Sequence, residues 1–186
     1  RTSRWLPTWN VSGAWNAHEE KWFDSLKPWM SHLTLKGSYS LTADRGPYNI
    51  SNSSAIINSL VTWRPDGADQ ETALGITELG NSELTYEKKH ELSLTADMGF
   101  LNNRINMEVS WYRRNNYDLI GAITVQGVGG ELDKFGNIAD MKSGGFELSL
   151  STKNIKLKDF EWNTTFLYSH QYNKVKNLKN TSRIID

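Results

Sequence analysis

The chain of 186 residues contains no cysteine, which excludes disulfides, thiolate zinc sites and thiol redox chemistry. It also lacks an excess of charge of either sign, because Lys plus Arg number 21 and Asp plus Glu number 21. Without a basic field there is no footing for a polyanion, so nucleic acid is not a partner, and no acidic run suggests a disordered arm. Long hydrophobic runs are missing too. The longest, Leu119 to Val125, is interrupted by Gly121 and falls far short of the ~20 residues a membrane helix requires. Any membrane crossing is therefore made by strands. The opening Arg1-Thr2-Ser3-Arg4-Trp5-Leu6-Pro7 has no charged start, apolar core or small-residue cleavage site of a secretion signal. The chain is expected to start inside something larger.

What is present is aromatic and glycine-rich: 8 Trp, 7 Tyr, 6 Phe and 14 Gly on a background of negative mean hydropathy. That mixture suits β-structure. Six segments alternate with period two, at about 8–17, 33–42, 84–98, 105–114, 145–152 and 160–173. In the fourth, for example, Ile105, Met107, Val109 and Trp111 alternate with Asn106, Glu108, Ser110 and Tyr112. A helix would smear such a pattern around its axis. Lys88 and His90 interrupt the apolar side of the third segment, and Leu167 interrupts the polar side of the sixth.

The connections alternate in length. Segments three and four are joined by Leu101-Asn102-Asn103-Arg104, whose asparagines tolerate the positive φ of a tight turn. Two long loops are expected at about 43–83 and 115–144, and loops of that length are usually functional. Short turns at one end and long loops at the other are the plan of an outer-membrane barrel. Alternation alone also fits a soluble β-sandwich, but segments of about ten residues match membrane strands better than soluble ones. Aromatics fall near both ends of the segments, as in the girdles of a bilayer-spanning wall. Six strands cannot close such a barrel, so the expectation is all-β architecture: antiparallel up-and-down strands forming part of a transmembrane β-barrel.

Catalytic chemistry finds little support. His18-Glu19-Glu20-Lys21 lacks a second histidine, and His32, His90 and His170 are scattered over separate segments. Arg64-Pro65-Asp66-Gly67-Ala68-Asp69 lacks the spacing and final Glu of a calcium loop. Gly127-Val128-Gly129-Gly130 follows no Rossmann strand and reads as a loop. No catalytic residue, metal ligand or cofactor is assigned. The polar sides carry Asn10, Lys36, Glu91, Asp97, Glu108, Arg114 and Glu147 as candidates to face a lumen. Trp63, Arg64, Tyr112, Arg113 and Tyr117 are assigned to loops as candidate ligand or partner contacts, since aromatic platforms beside cations suit sugar rings or peptide carboxylates.

The blocks Trp5-Leu6-Pro7-Thr8-Trp9-Asn10-Val11-Ser12-Gly13-Ala14-Trp15-Asn16 and Pro28-Trp29-Met30-Ser31-His32-Leu33-Thr34-Leu35-Lys36-Gly37-Ser38-Tyr39 resemble successive barrel strands of SusC/RagA-type, TonB-dependent transporters. Leu84-Thr85-Tyr86-Glu87-Lys88, Phe100 to Asn106, Trp111-Tyr112-Arg113, Gly136-Asn137 and Gly145-Phe146-Glu147-Leu148 continue the resemblance in order. It implies a barrel of about 22 strands with a plugged lumen, driven through the TonB-ExbB-ExbD complex and paired with a SusD-like surface lipoprotein that captures glycans or peptides. The wall would contact membrane lipid in a bacterial outer membrane. No plug, TonB-contacting segment or terminal aromatic is recognisable, so the chain is expected to be one portion of a longer polypeptide. A soluble β-sandwich binding module and a passive porin remain the alternatives.

Overall fold

In the computed structural model, residues 5–46, 54–61, 72–125 and 133–178 are described. They form eight strands: β1 Trp9–Asn16, β2 Met30–Asp44, β3 Ile56–Val61, β4 Thr72–Glu78, β5 Glu87–Phe100, β6 Ile105–Thr124, β7 Asp133–Lys156 and β8 Glu161–Leu178. Six of them make one open sheet in the order β1-β2-β5-β6-β7-β8, and β3 and β4 pair in a second sheet. Every neighbour is antiparallel. Each of the six alternating segments contributes most of its residues to one strand of the large sheet.

Because side chains alternate along a strand, register decides which residues share a face. Trp15, Leu35, Ala96, Val109, Leu148 and Tyr168 stand opposite one another across the six strands. The adjoining row reads Ala14, Lys36, Thr95, Ser110, Glu147 and Ser169. One face of the sheet is thus apolar and the other polar. Large apolar side chains such as Val11, Leu94, Phe166 and Tyr168 are exposed, while among the described residues the large side chains that are fully buried are Phe23 and Leu84. The sheet has no internal core of its own.

The expected loop at 115–144 is mostly strand. β6 continues to Thr124 and β7 begins at Asp133, with Leu119 opposite Ala139 and Thr124 opposite Asp133. Two irregularities hid this pairing from the sequence pattern. An extra residue on β6 between Asn116 and Leu119, where Asp118 adopts φ 59°, is followed by a compensating shift between Leu119 and Ile120. Each shift breaks the period-two signal, as β-bulges do. The 20 residues of β6 exceed the ~9–11 that cross a bilayer, so its upper part rises beyond the apolar band. The loop expected at 43–83 likewise contains β3 and β4.

Residues 84–86 precede β5 rather than belonging to it, and Leu84 is buried. The link from β1 to β2 folds into two short 3-10 turns, Ala17–Glu19 and Lys21–Ser25, with Ala17 and Phe23 buried. Aromatics gather at this short-turn end: Trp29 stacks on Phe100 at 5.9 Å, and Trp15 meets Trp22 at 6.2 Å.

The β5–β6 turn carries three consecutive left-handed residues, Leu101 (φ 51°), Asn102 (φ 55°) and Asn103 (φ 60°). Asparagine suits this region, whereas leucine pays a steric penalty there. The turn is held by Leu101 N–H donating to the Trp29 carbonyl at 3.0 Å and Asn103 N–H donating to Ser31 Oγ at 3.1 Å. Replacing Asn102 and Asn103 together with valine is expected to lower the yield of assembled protein in membranes, at about 1–2 kcal/mol per residue. Leu101→Gly, which removes a steric cost, should preserve assembly or raise its resistance to thermal unfolding. Equal yields from the double valine variant and the parent would contradict the turn geometry.

Candidate functional site

The polar face brings most of the expected lumen-facing residues into two linked clusters. In the upper one, towards the long connections, Glu91 on β5 stands directly opposite Arg114 on β6. Arg114 Nε donates to Glu91 Oε2 at 2.9 Å, and Lys89 Nζ reaches the same oxygen at 3.1 Å. The guanidinium of Arg114 also sits 5.5 Å from the centre of the Tyr112 ring. This ring lies over Gly145 on β7, where an added Cβ would meet it at 2.6 Å. Gly145 therefore supplies the recess in which Tyr112 rests.

The lower cluster centres on Asp97. It accepts from His32 Nε2 at 3.1 Å, and Lys36 Nζ approaches its other oxygen at 3.7 Å. Thr95 and Ser110 hydrogen-bond across β5 and β6 at 3.0 Å between the clusters. Glu108 stands opposite Asp97 on one side and Ser149 on the other, while Glu147 stands opposite Ser110. Asn10 lies on the edge strand β1, opposite Ser40. Half-exposed ion pairs of this kind contribute little to stability individually, so their effect is to fix the orientation of the charges.

The register separates the residues that sequence reasoning assigned to loops. Tyr112, Arg113 and Tyr117 are all within β6. Tyr112 shares the polar face with Arg114, but Arg113 stands opposite Leu92 and Gly144 on the apolar face. Tyr117 packs edge-on against His90 at 5.7 Å, and His90 Nδ1 hydrogen-bonds the Tyr39 hydroxyl at 2.9 Å. These three rings belong to the aromatic band at the upper end of the apolar face, which explains the polar interruption at His90. Trp63 and Arg64 lie outside the described residues.

A third group was not anticipated. Asn137 on β7 treats residue 85 like a neighbouring strand: Thr85 N–H donates to Asn137 Oδ1 at 2.8 Å and Asn137 Nδ2 donates back to the Thr85 carbonyl at 3.1 Å. Glu87 Oε1 accepts from Ile120 N–H at 2.7 Å, Asp140 Oδ1 accepts from Asp118 N–H at 3.1 Å, and Lys88 pairs with Asp118 at 2.9 Å. Asn81 Nδ2 adds a bond to the Phe135 carbonyl at 2.8 Å. Together these clasp the upper β6–β7 hairpin to the segment before β5. Its base borders an open concavity of about 420 Å³, lined by Asp44, Glu87, Lys89, Arg114 and Asn116 among others. Among the described residues no cluster of three or more His, Asp or Glu side chains could hold a metal ion.

Residues 1–184 match the profile of the TonB dependent receptor-like β-barrel. The chain belongs to this family. SusC, the TonB-dependent receptor of Bacteroides thetaiotaomicron, is 25% identical over 184 residues, 96% of this chain and 18% of SusC. A TonB-dependent receptor of Formosa agariphila is 27% identical over 162 residues, 87% of this chain and 16% of the relative. Among solved structures, the RagAB peptide transporter superposes with a TM-score of 0.78 at 24% identity, covering 92% of this chain and 18% of that one. The chain thus spans under a fifth of the length of these relatives. The family is one of outer-membrane barrels, so the open six-stranded sheet is a section of barrel wall in the bacterial outer membrane.

In a wall of this kind the apolar face meets hydrocarbon. Val109, opposite Ala96 and Leu148, lies in the middle of that face, and Ser110 lies on the other. Val109→Arg is expected to destabilise the protein by about 2–4 kcal/mol and Ser110→Arg by much less. Detergent unfolding of both variants checks the faces; equal losses would contradict them.

Proposed function

We propose that this chain forms part of the wall of an active nutrient importer, with the long-connection end outside the cell and the short turns towards the periplasm. Among the described residues, the β3–β4 pair and the upper β6–β7 hairpin, long enough to build a binding surface, belong to the long connections, as in outer-membrane barrels. The polar face then borders the lumen, where Asn10, Lys36, Glu91, Asp97, Glu108, Arg114 and Glu147 meet water or the plug. The cargo is a glycan or a peptide, captured with a SusD-like surface lipoprotein, and the transport step is driven through TonB-ExbB-ExbD. The family match, together with likeness to SusC and to the RagAB peptide transporter, supports this reading over a soluble sandwich.

The observation that carries a ligand role is the Tyr112–Arg114 pair. A ring resting on Gly145 with a fixed guanidinium 5.5 Å above it offers an aromatic surface for a sugar ring and donors for a carboxylate. Arg114 is oriented by Glu91, whose carboxylate Lys89 also holds, rather than left to rotate. Trp63 and Arg64, which lie in sequence between β3 and β4, are proposed as further ligand or partner contacts. Arg113 and Tyr117 are withdrawn from this role because their face is opposite to that of Tyr112.

Deleting about ten residues within 52–70 is expected to leave the barrel assembled, since loop closure depends weakly on length, while impairing uptake or lipoprotein docking. Tyr112→Ala should lower uptake of a glycan or peptide cargo severalfold at unchanged membrane abundance. Uptake that continues at the parental rate in cells lacking TonB would favour a passive pore. A parent protein that stays in the aqueous phase without detergent would favour the sandwich.

A further inference from the structure

At the short-turn end of the polar face, the charges around Asp97 do not balance until a proton is added. Asp97 on β5 and Glu108 on β6 stand directly opposite one another, and like charges so placed destabilise a sheet. Lys36 supplies one cation, with Nζ 3.7 Å from Asp97 Oδ2. Arg104 is engaged elsewhere, donating to the carbonyls of Lys153 and Asn154. Two histidines remain nearby. His18 Nδ1 lies 3.1 Å from the Leu33 carbonyl, so it is the donor there, and its ring meets that of His32 edge-on at 6.2 Å between centres. His32 itself touches the carboxylate, with Nε2 3.1 Å from Asp97 Oδ1.

Both ring nitrogens of His32 face oxygen. On the side away from Asp97, Nδ1 lies 3.1 Å from Asn103 Oδ1 in the β5–β6 turn. A neutral imidazole has one N–H and can donate to one of these acceptors, whereas an imidazolium donates to both. Residue 99 makes the double contact possible. Gly99 stands opposite His32 on β5, and an added Cβ would overlap both His32 Nδ1 and Asn103 Oδ1. Asn103 is also anchored through its backbone, where its N–H donates to Ser31 Oγ at the bulge between Met30 and His32. The state of the imidazole thus reaches the turn through one side chain. The His32 and Asp97 side chains are 26% and 34% exposed, so protons exchange with water without any opening of the sheet.

We propose that His32 is a proton-operated fastening of the β5–β6 turn to β2. When protonated, it holds Asp97 and Asn103 together and offsets the repulsion between Asp97 and Glu108; when neutral, it releases one of its two acceptors. The fastened state takes up the proton, so the fastening is complete below the ordinary histidine range, centred at about pH 6.5, and is lost as pH rises through it. Asp97 and Glu108 favour the charged ring, Lys36 and a charged His18 oppose it, and of these groups Asp97 is the one that His32 hydrogen-bonds. The consequence is a wall whose short-turn end is stiffer in acid than at neutral pH. This goes beyond the importer reading and does not depend on cargo, lipoprotein or the direction of transport.

The test follows amide hydrogen exchange of the complete protein in mild detergent, between about pH 5 and about pH 8, with rates corrected for the intrinsic effect of pH. Mass spectrometry of a peptide covering 99–106 reads the turn. Its protection should fall about fivefold across that range, as expected for one hydrogen bond lost, while a peptide covering 145–152 keeps its protection. His32→Gln donates and accepts without titrating, so its turn should show the same protection at every pH. Gly99→Ala adds no titratable group and should hold the turn at the parent's high-pH level throughout. Asn103→Asp, which tolerates the left-handed backbone and as a carboxylate can only accept, should keep the pH dependence and move it to higher pH. Protection that is constant with pH in the parent overturns the proposal. So does a parental pH dependence in His32→Gln, which would assign the proton to His18 or to a carboxylate. Loss of the pH dependence in Asn103→Asp would overturn it too, by showing that the Asn103 amide donates to a neutral His32.

Discussion

The structure depends on backbone pairing in fixed antiparallel register. In hydrocarbon no water is available to a stray N–H or C=O, so each strand must find its partners in its neighbours. Pairing alone would tolerate a slip, but a slip of one residue would turn Val109 and Leu148 towards water and Ser110 and Glu147 towards lipid. The uninterrupted match of Leu35, Ala96, Val109, Leu148 and Tyr168 is what excludes that alternative. The membrane thus replaces the packed core that a soluble sheet of this size would need.

Two adjacent glycines show how the wall accommodates bulk on both faces. Gly144 yields to Tyr172 on the apolar side, and Gly145 yields to Tyr112 on the polar side. Rings laid across glycines stiffen a sheet at positions that would otherwise weaken it. Arg113 and Arg114 are neighbours in sequence yet stand on opposite faces.

Above the membrane the constraint changes, because water can satisfy free backbone groups and long strands are no longer obligatory. The β6–β7 hairpin nevertheless continues, held by Asn137, Glu87, Asp118 and Asp140 against the segment before β5. The β-bulges at its base offset the hairpin from the register below. A rigid projection of this sort can present a surface to cargo or to a lipoprotein where a mobile loop would first have to be ordered.

The six strands of the large sheet, the antiparallel plan, the two faces and the tight turn at Asn102-Asn103 were legible in the sequence, since period-two alternation and positive-φ asparagines are local signals, whereas β3 and β4 were read as loop. The resemblance of successive blocks to barrel strands added the family. The extent of β6 and β7 was not legible, because the shifts around Asp118 break the alternation just where the strands leave the bilayer. Nor was the division of Tyr112 and Arg114 from Arg113 and Tyr117, which looked like one aromatic and cationic cluster when read as a loop. A sequence by itself determines which residues alternate; only the tertiary structure decides which strands they meet, and charge–charge relations such as Glu91 with Arg114 or Lys142 with Lys174 exist only across that pairing.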